Sequence, residues 1–132
     1  MSEGGVTTTA VAVSADPRPV FEQGRNGPTV VGVRCRGCDH PCAARVPRCP
    51  RCGAATEVAR FGPEGAVWAT TTIHVAAGQR AAPYTVAYVD LDEGPRILAD
   101  VDDGPELVPR VTERVRLVGR TALGDLRVEV RR

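Results

Sequence analysis

From residue 66 to the C-terminus the chain repeats one pattern: short runs in which apolar and polar residues alternate, separated by clusters of Gly, Pro and Asp. In AVWATTTIHV (66–75) the odd positions Val67, Ala69, Thr71, Ile73 and Val75 alternate with Trp68, Thr70, Thr72 and His74. That period of two marks a half-buried strand. YTVAYVDL (84–91) is rich in aromatic and β-branched residues. RILADV (96–101) puts Ile97, Ala99 and Val101 on one face. RVRLVG (114–119) sets Val115 and Leu117 against Arg114 and Arg116, and LRVEVRR (126–132) sets Leu126, Val128 and Val130 against Arg127, Glu129 and Arg131. The gaps GQRAAP, DEGP, DDGPELVP and LGD carry turn signals. No long amphipathic helix interrupts the series. Five strands in this span predict an all-β fold with a five-stranded barrel of the OB type, an SH3-like barrel being the rival. Trp68 falls on the otherwise polar face of its strand, which suggests packing at a rim or under the ribbon.

Upstream the pattern changes. Residues 1–19 mix Gly, Ser, Thr and Pro with small apolar residues and no sustained helical period; they are expected to be a disordered tail. Residues 20–60 read as a zinc ribbon with a short lead-in, in which TVVGV (29–33) suggests a strand, and residues 61–132 read as the barrel. A small all-β domain closes a core with difficulty, and a metal-stapled module beside it supplies stability.

That module is written in the cysteines. All five lie in RCRGCDHPCAARVPRCPRCG (34–53). Cys35, Cys38, Cys49 and Cys52 form C-x2-C-x10-C-x2-C, two knuckles whose backbone N–H groups face the sulfurs, with Gly53 permitting the tight turn after the second pair. Four thiolates around one ion leave no open position, so the site is structural rather than catalytic. Zn2+ is the expected ion; a rubredoxin-like iron is the alternative, because the same ligands hold it. Cys42 is read as a free thiol, and His40 finds no vacancy in two complete pairs.

Composition narrows the function. Of 132 residues 42% are hydrophobic, enough for a core, and no apolar run reaches the roughly 20 residues of a membrane span. The N-terminus has no basic stretch followed by an apolar one. A cytoplasmic location is expected, where clustered cysteines bind metal rather than pair. The net charge of +1 gives no global pull toward nucleic acid or anionic lipid. Locally, residues 34–60 carry six Arg against Asp39 and Glu57, while residues 90–106 carry seven acids against Arg96. Every basic residue is Arg. No nucleophile elbow, HExxH or Gly-rich phosphate loop is present, and His74 has no orienting carboxylate in its pattern. DVDDGPE (100–106) lacks the EF-hand series and reads as a turn.

A ribbon followed directly by five barrel strands resembles the zinc-ribbon/OB-fold family once called domain of unknown function 35. The resemblance rests on the two cysteine pairs, VPRCPRCG (46–53), GAVWATTTIHV, APYTVAYVDLDEGPRILADV with Pro83-Tyr84 opening the second barrel strand, and ERVRLVGR with Gly119 closing the fourth. It covers roughly residues 28–132 and implies a non-catalytic accessory subunit of a thiolase-fold or ketosynthase-like enzyme acting on acyl-CoA. Arg34, Arg36, Arg48 and Arg51 are then candidates for the CoA phosphates, since the guanidinium fork matches phosphate. The family usually begins with an aromatic, basic helical segment; here only PVFEQGRNG (19–27) stands in that place. A different class, an OB-fold binder of single-stranded nucleic acid, would use Trp68, Tyr84 and Tyr88 as stacking platforms. From residue 61 onward, however, eleven acids outnumber nine Arg.

Overall fold

A computed structural model of the chain describes residues 18–76, 78, 80–101 and 108–131. The tail expected over 1–19 falls almost wholly outside the described residues, as does most of the turn expected at 100–106. The described residues form strands and turns with no helix. Strand β1 (Val20–Gly24) turns through Arg25 and Asn26 into β2 (Gly27–Cys35). Gly27 takes φ 122°, a conformation that suits glycine at the end of this two-residue hairpin turn. A two-residue strand β3 (Pro41–Cys42) pairs with the end of β2, and β4 (Thr56–Phe61) runs antiparallel to it from Cys35↔Thr56 to Val30↔Phe61.

The barrel follows: β5 (Glu64–Ile73), β6 (Tyr84–Leu91), β7 (Arg96–Val101), β8 (Arg114–Arg120) and β9 (Leu126–Val130). It closes in the order β9-β7-β6-β5-β8, with β8 pairing back onto β9. All pairs are antiparallel except β9 with β7. Closure removes free strand edges from the barrel. The inward side chains are the alternating ones of the sequence pattern: Val89 and Leu91, Ile97 and Ala99, Val115 and Leu117, Leu126 and Val128 are all buried. Val30 and Phe61 from the preceding sheet belong to the same buried cluster. The β6–β7 turn presses on Phe61 so closely that a Cβ on Gly94 would lie 2.9 Å from the ring.

Three features depart from the sequence pattern. The segment 19–27 is no helix: Val20–Gly24 is a strand, because Phe21 and Val20 pair with Val30 and Val31 across the hairpin. Thr56–Phe61 forms a strand across the expected boundary between ribbon (20–60) and barrel (61–132), because it pairs with β2. The third lies in β5. Its register with β6 shifts between Val67 and Ala69, so Trp68 is the extra residue of a β-bulge. One extra residue reverses the phase of everything after it. Thr70 and Thr72 now face the same side as Ala87 and Thr85, while Ala69, Thr71 and Ile73 share the outer face with Tyr88, Val86 and Tyr84. The hydroxyls turned inward are paired: Thr70 donates to the Val86 carbonyl at 3.2 Å, and the Thr72 and Thr85 hydroxyls lie 2.9 Å apart.

Candidate metal centre and surrounding surfaces

The end of β2 makes the first knuckle. The Cys35 thiol sulfur accepts the backbone N–H groups of Gly37 at 3.2 Å and Cys38 at 3.3 Å, and the loop closes by Cys35 N–H donating to the His40 carbonyl at 3.0 Å. The second knuckle repeats the device. Arg51 N–H donates to the Cys49 sulfur at 3.3 Å, Gly53 N–H to the Cys49 carbonyl at 2.9 Å, and Gly53 takes φ 80°. A bridge between Arg48 and Ala55 closes its base. The four sulfurs all lie within 4.8 Å of one another, with Cys35–Cys52 at 3.4 Å and Cys38–Cys49 at 3.6 Å. Sulfurs about 2.3 Å from a tetrahedral ion would stand about 3.8 Å apart, so the cluster fits such an ion. Among the described residues it is the one group of three or more His, Cys, Asp or Glu side chains placed to share a metal.

The protonation pattern points the same way. The backbone N–H of Cys38 leads in lowering the Cys35 thiol to about 6, against the effect of burial. Cys38 has help from the His40 backbone N–H, but burial and three neighbouring sulfurs outweigh it and push the thiol up to about 12. Burial opposes ionisation of Cys49, yet the N–H groups of Arg51 and Cys52 bring its thiol below the ordinary value. Four adjacent sulfurs cannot all ionise without a counter-charge, which a bound cation would supply. Cys42 stands apart. It lies on β3 opposite Val33, and burial, then the charge of Cys49, raise its thiol. His40 enters through its backbone, its carbonyl accepting from Cys35 N–H and its N–H facing the Cys38 sulfur, and its ring is not among the grouped ligands.

The four arginines singled out for phosphate are not equivalent. Arg34 is half-buried over the Phe61 ring at 5.3 Å and donates to the Asp39 carbonyl at 3.0 Å and the Glu93 carbonyl at 2.6 Å, tying the ribbon to the β6–β7 turn. Arg36 faces Glu57 at 3.5 Å. Arg48 and Arg51 are exposed on the second knuckle.

On the barrel the bulge sets Trp68 edge-to-face with Tyr88, ring centroids 6.0 Å apart. The Arg96 guanidinium covers the Trp68 ring at 3.7 Å and is itself held by Asp90 through bonds of 2.7 and 3.2 Å. One face of the indole is thus already stacked. Tyr84 is covered likewise by Arg80 at 3.9 Å. His74 is exposed just past the end of β5. The anomaly of Trp68 is visible in the sequence, but its neighbour Arg96 is not, because their proximity depends on strand pairing.

Residues 58–120 match the family model described as ChsH2, C-terminal OB-fold domain. A curated relative from Methanocaldococcus jannaschii, a DUF35 domain-containing scaffold protein, is 33% identical over 72 residues, 52% of this chain and 51% of that protein. The matched stretch thus spans about half the length of the relative. Among solved structures, the chain is similar in fold to one of an Ltp2-ChsH2(DUF35) aldolase, with a TM-score of 0.64 and 24% identity, covering 76% of this chain and 83% of the other. Over its barrel strands the chain is thus similar to the OB-fold domain of DUF35 proteins, and the closed five-stranded barrel preceded by a four-cysteine cluster is the architecture it brings to that likeness.

Proposed function

We propose that the chain is a non-catalytic accessory subunit of a thiolase- or ketosynthase-like enzyme complex acting on acyl-CoA. Residues 20–60 form its zinc-held module and residues 61–132 its barrel. The observation that carries the reading is the four-cysteine centre: it has no position left for a substrate, so the metal holds the fold and chemistry belongs to a partner. The scaffold description of the curated relative supports this. Bound Zn2+ would contribute on the order of 10–16 kcal/mol to the ribbon, as in comparable sites. Exposed Arg36, Arg48 and Arg51, together with the tethered Arg34, offer guanidinium groups for the phosphates of CoA. No helix among the described residues is long and apolar enough to cross a membrane, and reduced cysteine ligands suit the cytoplasm.

Affinity purification of the tagged full chain from its host, with mass spectrometry, tests the reading. Near-stoichiometric recovery of a thiolase-fold enzyme is expected. Recovery of nucleic acid or ribosomal material without such an enzyme would overturn it. Elemental analysis of the same preparation should find one zinc per chain and no colour; a visible-absorbing iron protein would refute the structural-zinc assignment.

A further inference from the structure

The bulge at Trp68 has built an apolar surface where uninterrupted alternation would have left a polar one. Beyond it, Ile73 joins Tyr84, Val86, Tyr88 and Leu98 on the outer face of β5–β7. Trp68, Tyr88 and Leu98 remain 49%, 46% and 49% exposed. Next to them, sharing Val86 and Leu98, lies a cleft of about 420 Å³ with Ile73 and Tyr84 in its wall. Contiguous exposed apolar surface of this kind marks an interaction site, and Trp, Tyr and Arg are the residues that dominate binding energy at interfaces.

Charge decides what fits. Arg96 at one end is satisfied by Asp90, and Arg80 at the other by Asp100 at 2.9 Å and Asp125 at 3.6 Å. An ionic surface would have to compete with these internal pairs, whereas an uncharged apolar one leaves them intact. The guanidinium groups stacked on Trp68 and Tyr84 also fix the rings before any partner arrives, which lowers the ordering cost of docking. The cationic second knuckle of the ribbon has the opposite chemistry. We propose that the outer face of β5–β7, centred on Trp68, Tyr88 and Leu98, is the seat of an uncharged, apolar surface segment of the thiolase-fold partner. This rests on the accessory-subunit reading above.

The test is quantitative affinity purification with the full chain carrying Leu98→Arg. That side chain points outward, so folding is checked by unchanged zinc content and melting temperature. Val58→Arg, an exposed position on β4, serves as control. Leu98→Arg should lower recovery of the thiolase-fold enzyme roughly tenfold or more, the loss expected at an interface hot spot, while Val58→Arg leaves it unchanged. Should Leu98→Arg fail to fold, Tyr88→Glu gives the same readout. Equal recovery by wild type and a folded face variant would overturn the docking face and leave the accessory role standing. Failure of the wild type to recover such an enzyme would overturn both. A wild-type homodimer in sedimentation that Leu98→Arg splits, with enzyme recovery unchanged, would assign the face to a second copy and overturn the proposal.

Discussion

Two cysteines seven residues apart have opposite expected roles. Cys49 sits in the sulfur cluster with N–H groups aimed at it, and Cys42 lies on β3 with a thiol raised by burial. Cys49→Ser should therefore lose the metal, and Cys42→Ser should keep one ion per chain, as measured by elemental analysis after gel filtration. Glu64 carries a second residue-level prediction. Burial opposes its charge, but hydrogen bonds from Arg131 and Arg116 outweigh burial and hold its carboxyl below the usual 4.5. A carboxyl depressed in the folded state stabilises above its unfolded value and loses that contribution as pH falls through the folded one. Glu64→Gln should thus melt below wild type at pH 7. The gap should narrow as the pH drops beneath 4.5, which thermal melts of both proteins across that range would reveal.

At the scale of elements, four of the barrel strands stand where the alternation puts them: Tyr84–Leu91, Arg96–Val101, Arg114–Arg120 and Leu126–Val130. Their pattern was legible because apolar residues alternate along each, and the register shift of β9 on β8 between Arg127 and Val128 leaves that alternation intact. The cysteine spacing was legible for a similar reason, since ligand geometry is local. What escaped was long-range. Val20–Gly24 and Thr56–Phe61 are strands because each lies against β2, and nothing in either segment declares its partner. The bulge in β5 escaped because Val67, Ala69, Thr71 and Ile73 read as one face on an ideal strand, and only the register with β6 shows the slip. The knuckles have little apolar material apart from their sulfurs, so a strong chelator should release the backbone amides of residues 35–55 to rapid hydrogen exchange. Amides of β6, buried at Val89 and Leu91, should stay protected at early times.

Across the whole molecule, sheet and barrel meet in one packed cluster rather than across a linker. Leu117 is completely buried in it, and Leu117→Ala should cost about 2–5 kcal/mol in denaturant unfolding. Phe61 is the more telling site, for it belongs to the strand that leads out of the second knuckle yet fills the barrel core beside Gly94. Phe61→Ala should lower barrel stability by about 3–5 kcal/mol and weaken metal retention in the same preparation. Equal metal affinity in variant and wild type would show the two halves to be energetically separate.

The placement of Val30 and Phe61 in the barrel core then bears on the cell as well as on the molecule. Strands that carry the cysteine cluster at one end complete a hydrophobic interior at the other, so loss of a bound ion there would loosen one wall of the barrel core. On the accessory-subunit proposal, the amount of folded subunit would follow the supply of the ion, and a metal-poor cell would lose assembled complexes without any change in the partner enzyme itself.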